Sequence, residues 1–255
     1  MQFGLIIVGT EILTGKRRDS HFEHAIEALA QRAQALAWCR YLGDDSEALT
    51  RELGFAMDSD AVVFCCGGIG ATPDDHTRAS AARAAGVDLV RHPQAAAVIE
   101  ARFGDAAYPQ RIHMAHLPRG CELIPNPVNQ IAGFSLGKLH FVPGFPQMAW
   151  PMMDWVLDNH YPQLREQVPA VEVLLTLPGV SEGQLMEVMQ AFVARFPGVA
   201  LSCLPHMEGD YRETELGVRG VNAAVTEAIT WLTDALDEGG FGWRKHPGSR
   251  AAGPA

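Results

Sequence analysis

Apolar residues first gather in a short block at 5–8, closed by Gly9, the pattern of a strand buried on both faces. A helix is predicted next. Ser20 with Glu23 three positions on reads as a capping box, and Phe22, Ile26, Leu29, Ala33 and Leu36 recur at helical spacing. Residues 38–42 read as a second strand, 46–57 as a helix with Leu49 and Leu53 on one face, and 61–66 as a third strand. A third helix is predicted to open near Thr72, after a less patterned turn. Strands alternating with helices at this rhythm imply an α/β fold with a mostly parallel sheet and right-handed crossovers, because a parallel neighbour is reached only by a long return connection. All strand-to-helix loops of such a sheet leave from one edge, so loops distant in sequence become neighbours there.

Further along, an irregular stretch precedes a strand at 121–124 and a hairpin at 134–136 and 139–142 around Gly137 and Lys138. Residues 148–159 read as a helix with Pro151 in its first turn, where a missing N–H costs little. Beyond Pro162 the order becomes strand 171–177, helix 181–195, strands 199–204 and 213–218, and helix 222–236. This βαββα run is expected to form a small α+β second domain. The predicted boundaries are 1–163 for the first domain, 166–238 for the second and a disordered tail at 239–255, where Gly, Pro, Arg and Ser dominate.

Composition narrows the function. With 47% hydrophobic residues in 255 the chain can bury a real core, and a net charge of −10 disfavours nucleic acid and anionic membranes as partners. No basic flank accompanies the first apolar run, so a soluble, cytoplasmic protein is expected. The five cysteines, at 39, 65, 66, 121 and 203, show no Cys-x-x-Cys spacing and read as reduced thiols, Cys65 and Cys66 pointing to opposite faces of their strand.

Acidic residues follow each of the first three strands: Glu11, then Asp44 and Asp45, then Asp74 and Asp75. Between strand three and the last pair lies Gly67-Gly68-Ile69-Gly70-Ala71-Thr72-Pro73, a loop whose amides suit phosphate. Phosphate and carboxylates conflict in one cleft: two unit charges 5 Å apart repel by roughly 3 kcal/mol at an effective dielectric of 20. A helix N-terminus returns only about 0.3–2 kcal/mol. A divalent cation such as Mg²⁺, bridging carboxylates and phosphate oxygens, reverses the sign. A simpler role is also open to the same residues: Thr72 as N-cap, Pro73 at the first helical position, Asp74 and Asp75 in the first turn, and Asp45 capping the helix after strand two. Residues 9–16 miss the P-loop spacing, and Pro73 stands where the dinucleotide fingerprint needs a third glycine. His21 with His24, and His113 with His116, read as surface or structural histidines.

Taken together, Gly9-Thr10-Glu11-Ile12-Leu13, Gly43-Asp44-Asp45, the run from Gly67 to Thr77, Asn126-Pro127-Val128 with Gly133-Phe134, and Val142-Pro143-Gly144-Phe145-Pro146 resemble the CinA-type molybdopterin-binding family over residues 1–160. The segment around Gly179-Val180-Ser181-Glu182 resembles the domain that follows in those proteins. The resemblance implies a three-layer α/β sandwich that binds a pterin or nucleotide phosphate, a homo-oligomer, and metal-dependent hydrolysis of an ADP-ribose or FAD type phosphoanhydride. By position it implies Glu11, Asp45 and Asp75 as catalytic residues and Asp45, Asp74 and Asp75 as metal ligands. Gly9, Thr10, Gly67, Gly68, Gly70 and Thr72 would hold phosphate, and Asn126, Pro127, Pro143 and Gly144 would line the ligand. Ala71 and residues 129–132 depart from the family pattern, and the chain stops without an amidohydrolase domain, so nicotinamide-nucleotide deamidation is not expected. A non-catalytic binding module, or a scaffold with a vestigial pocket, are the alternatives.

Overall fold

The computed structural model describes residues 1–209 and 211–247 and divides the chain into two compact units, Met1–Gln167 and Val168–Ala255. In the first unit, β1 (Phe3–Val8) leads through one helical turn, α1 (Thr10–Leu13), into α2 (His21–Ala30) and β2 (Leu36–Leu42). The helix α3 (Ser46–Asp58) then carries the chain back to β3 (Val62–Cys66). Next come α4 (Thr77–Ala84), β4 (Leu89–Arg91), α5 (Pro93–Phe103) and β5 (His116–Pro118), and the unit is completed by β6 (Glu122–Ile124), β7 (Gly133–Leu136), β8 (Leu139–Val142) and α6 (Pro146–His160).

The six-stranded sheet has the order β2-β1-β3-β8-β7-β6. Pairing is parallel from β2 through β8 and antiparallel on both sides of β7, where the hairpin sits as anticipated. Period-two alternation explains the layers. Ile6 and Val8 of β1 join Leu49 and Leu53 of α3 on one face, whereas Phe3, Leu5 and Ile7 join Ala25, Ala28 and Leu29 of α2 and Met152 and Val156 of α6 on the other. Cys65 and Cys66 separate the same way, and burial pushes the Cys65 thiol up to about 12. The result is the expected three-layer sandwich. Because β2 lies on one side of β1 and β3 on the other, the topological switch falls between the carboxyl ends of β1 and β3, where open α/β sheets hold ligands.

Four local expectations are corrected. In α2 the buried residues are His21, Ala25, Ala28 and Leu29, while Phe22 and Ile26 are exposed and Ala33 and Leu36 lie beyond the helix end. The small alanines face the sheet and let the helix lie close on it. Its first turn is held by Asp19, whose carboxylate accepts from the N–H groups of His21 (2.9 Å) and Phe22 (3.1 Å); Ser20 makes no side-chain cap bond. Secondly, α4 begins at Thr77 and not near Thr72, so Thr72, Pro73, Asp74 and Asp75 belong to the loop before the helix. Thirdly, Pro146 takes the first turn of α6, and Pro151 lies inside the helix, where it leaves a carbonyl one turn back without its intrahelical donor. Lastly, the stretch without predicted elements contains β4, α5 and β5. Its two strands are too short to show alternation, and the buried face of α5 is mostly alanine.

The second unit runs β9 (Val171–Pro178), α7 (Glu182–Arg195), β10 (Ala200–Glu208), β11 (Tyr211–Gly220), α8 (Asn222–Glu238) and β12 (Arg244–Lys245). Its antiparallel sheet has the order β10-β11-β9-β12, and Leu185, Phe192, Leu232 and Leu236 of the two helices pack on Leu175, Leu216 and Val218. A true capping box, Ser181 with Gln184, starts α7. The tail expected to be disordered is ordered at its start. Phe241 packs against the unit's core, Trp243 donates to Asp237 (2.8 Å), and Arg244 and Lys245 pair with β9. The rest of that tail, 248–255, lies outside the described residues. Among the described residues no helix is long and apolar enough to cross a membrane.

Candidate functional site

At the switch point the loops after β1, β2 and β3 meet. Gly9 N–H donates to the Leu42 carbonyl (2.9 Å), and Thr10 and Asp44 clasp each other: the Thr10 N–H donates to Asp44 Oδ2 (2.8 Å) and the Asp44 N–H to Thr10 Oγ1 (3.2 Å). The turn of α1 then lays the Glu11 carboxylate back over Gly9.

The glycine loop owes its composition to crowding by the protein itself. Gly67 (φ +108°) and Gly68 (φ +68°) take backbone conformations L side chains avoid, and a Cβ on either would overlap the Val8 carbonyl or the Thr77 side chain. Gly67 donates to the Val142 carbonyl (3.0 Å), and Thr77 N–H to the Gly68 carbonyl (3.0 Å). The far half closes on itself. Asp75 Oδ2 accepts from the Thr72 N–H (2.8 Å) and hydroxyl (2.5 Å), and its carboxylate packs against Gly70. Beneath, the buried Arg78 guanidinium donates to the carbonyls of Gly70 (2.6 Å), His116 (3.1 Å) and His113, tying the loop to the chain before β5. Burial lowers the Arg78 pKa against the pull of nearby Asp75.

These loops enclose a cavity of about 380 Å³. Of the predicted site residues, Gly9, Glu11, Gly67, Gly68, Gly70, Thr72, Asp74, Asp75, Pro143 and Gly144 line it. Thr10 stands beside it through the clasp with Asp44. Three others are placed elsewhere. Asp45 caps α3, accepting from the Ala48 N–H (2.7 Å), and it is Asp44 that faces the cavity. Asn126 is buried and braces its own loop, accepting from Val128 and Asn129 and donating to Ile131, and Pro127 does not reach the cavity. Asn129, Ile131 and Ala132, the segment that departs from the family pattern, line it instead.

Sequence reasoning missed Arg17, which lines the cavity and sets one guanidinium among four carboxylates. The signal was present as a cation just past Gly15 and Lys16, in a stretch read only for its failed P-loop spacing. His21 proves structural: buried under α2, its Nε2 donates to the Gly144 carbonyl (3.2 Å), and desolvation lowers its pKa.

The donors fit a divalent cation in kind, since carboxylate oxygens suit Mg²⁺ or Mn²⁺. Among the described residues no three His, Cys, Asp or Glu side chains converge into a ready cage. A cation bound here would need further ligands from phosphate oxygens and water, which is the usual manner of Mg²⁺.

The sandwich defines an α/β protein with a cleft at the switch point of its sheet. The family described as "Probable molybdopterin binding domain" matches residues 4–166. A CinA-like protein of Geobacter sp. (strain M21) is 32% identical over 211 residues, covering 79% of this chain and 50% of its own length. One of Citrifermentans bemidjiense is 31% identical over 212 residues, with the same coverage. The crystal structure of CinA from Thermoplasma acidophilum, titled as of unknown function, superposes with a TM-score of 0.58 at 26% identity, covering 62% of this chain and 98% of that one. The chain belongs to the molybdopterin-binding-domain family, and the relatives it resembles are CinA-like proteins. It spans about half the length of the curated relatives it matches.

Proposed function

We propose that the cleft binds a pterin or nucleotide through its phosphates and, with a divalent cation, hydrolyses a phosphoanhydride of the ADP-ribose or FAD type. One observation carries this reading: glycine-loop backbone, Arg17 and the carboxylates of Glu11, Asp44, Asp74 and Asp75 face one cavity at the switch point. The family to which the chain belongs supports the ligand class. In this reading N–H groups of the 67–72 loop and the Arg17 guanidinium hold phosphate oxygens. Glu11 and Asp44, acceptors only when ionised, orient ribose hydroxyls or a water. Asp74 or Asp75 would hold a divalent cation, which would supply charge neutralisation and Lewis acidity. The anhydride P–O bond breaks as water adds to phosphorus, so ADP-ribose yields AMP and ribose 5-phosphate.

The absence of a ready cage among the described residues favours a second reading, a binding module without turnover. Calorimetry with ADP-ribose, FAD and adenylylated molybdopterin, each with Mg²⁺ and with EDTA, separates the two when AMP release is followed by chromatography. Mg²⁺-dependent binding with AMP release supports hydrolysis. Tight retention without release supports the module, and no binding of any of the three overturns both. The homo-oligomer implied by the family is part of the same proposal, checked by light scattering.

A further inference from the structure

Across the ridge formed by Ala71 and Thr72, which line both spaces, the cleft adjoins a second, more open hollow of about 850 Å³. Its chemistry is the opposite of the cleft's. Among the described residues no carboxylate lines it, although the chain carries a net charge of −10, and its mainly apolar wall carries the side chains of Arg78, Arg111, His113 and His116. The 3₁₀ turn at Arg111–Ala115 divides the two spaces, sending Met114 into the cleft and Arg111 and His113 into the hollow. Arg111 lies over the Phe103 ring (4.8 Å) and donates to the Ala106 carbonyl, and among the described residues it has no carboxylate partner. The His113 and His116 rings stand 5.6 Å apart. Buried polar groups are rarely left unpaired, yet among the described residues Arg78 Nε and His116 Nδ1 both lack hydrogen-bond partners.

We propose that this hollow is an anion subsite continuous with the cleft, taking a second phosphate of the same ligand. The substrate class is thereby narrowed to molecules with two separated anionic groups, such as a nucleotide carrying a further phosphate on its sugar. The size of the cleft agrees: about 380 Å³ lies near the lower end of the roughly 300–1,000 Å³ usual for ligand sites, so an extended dinucleotide overruns it. The polarity agrees as well. The cleft sets the single Arg17 guanidinium among four carboxylates, whereas the hollow offers guanidinium and imidazole groups with no carboxylate among its described lining.

The proposal rests on the reading of the cleft as a phosphate site, and one titration tests the two apart. Inorganic pyrophosphate is added to the full chain while the imidazole signals of His113 and His116 and the amides of Gly67, Gly68 and Gly70 are followed by NMR. Saturable shifts of both imidazoles are expected, with affinity at His116 falling roughly tenfold in Arg111→Gln and again in His113→Ala, as loss of one charge-assisted hydrogen bond implies. Unmoved glycine amides in each variant's starting spectrum show that the fold survives. Glycine amides that respond while both imidazoles stay silent overturn the subsite and leave the cleft reading intact. Responding imidazoles beside silent glycine amides uphold the subsite and sink the cleft reading. Silence at both overturns both.

Discussion

Asp75 holds Thr72 at two points, its Oδ2 accepting the backbone N–H at 2.8 Å and the hydroxyl at 2.5 Å. That clasp, and not a helix first turn, sets the shape of the loop whose other face lines the cleft. Asparagine keeps an oxygen acceptor but is a weak ligand for a hard cation. Asp75→Asn is therefore expected to leave the melting temperature within a degree or two, a shift of only a few tenths of a kcal/mol, while Mg²⁺-dependent ligand binding is lost. Calorimetry with and without Mg²⁺, set against a thermal melt, checks this. Equal loss of stability and binding shows that the residue is structural alone.

Asp44 and Asp45 are neighbours with separate tasks. Asp45 caps α3 and Asp44 holds Thr10 at the mouth of the cleft. Replacing Asp45 by Ala is expected to lower stability by about 1 kcal/mol, the usual worth of an N-cap, with ligand affinity unchanged. Asp44→Ala is expected to weaken ligand binding. Denaturant titration and a binding isotherm on each variant decide the matter, and loss of affinity in the Asp45 variant contradicts the assignment.

At Gly67 a side chain meets both a positive φ and the Val8 carbonyl. Gly67→Ala should cost about 1–3 kcal/mol through backbone strain alone, and displace the loop with loss of ligand binding. Gly54, within α3 and with open space where a Cβ would go, behaves oppositely. Gly54→Ala should stabilise by up to about 1 kcal/mol. The two midpoints in urea test the contrast.

Behind the sheet, His140 is fully buried between the Ser135 hydroxyl (2.8 Å at Nδ1) and the Tyr161 hydroxyl (2.8 Å at Nε2). Burial, aided by His160, pushes its pKa down to about 3 from 6.5. The unfolded chain thus binds a proton that the folded one refuses. Stability is full above pH 6.5 and falls towards pH 3, by up to about 1.4 kcal/mol per pH unit from this group. Unfolding free energies between pH 7 and 4 should show that slope, and His140→Gln should reduce it, leaving the contributions of His21 and His24, whose pKa values burial also lowers. An unchanged slope in the variant rules out His140 as the source.

The linear order of residues was enough to establish the alternation of strand and helix, the parallel sheet and the convergence of the segments near 10, 45 and 70. Each of these follows from local periodicity and from the handed return that a parallel strand requires. It was enough as well for the order of elements in the antiparallel second unit, although the Ser181–Gln184 capping box and the full lengths of β10 and β11 emerged only in the fold. Folding decided which member of an adjacent pair faces the cleft. The sequence offered Asp45 both as helix cap and as site residue, and the helix start at Ser46 turns it to the cap and leaves Asp44 facing the cleft. Folding also brought in Arg17, placed the helix start at Thr77 beyond the Asp75 clasp, and assembled the cationic hollow from Arg78 and a stretch at 111–116 with no readable period. Side-chain direction at a loop depends on contacts between elements far apart in the chain, and periodicity along a single segment carries no information about those contacts.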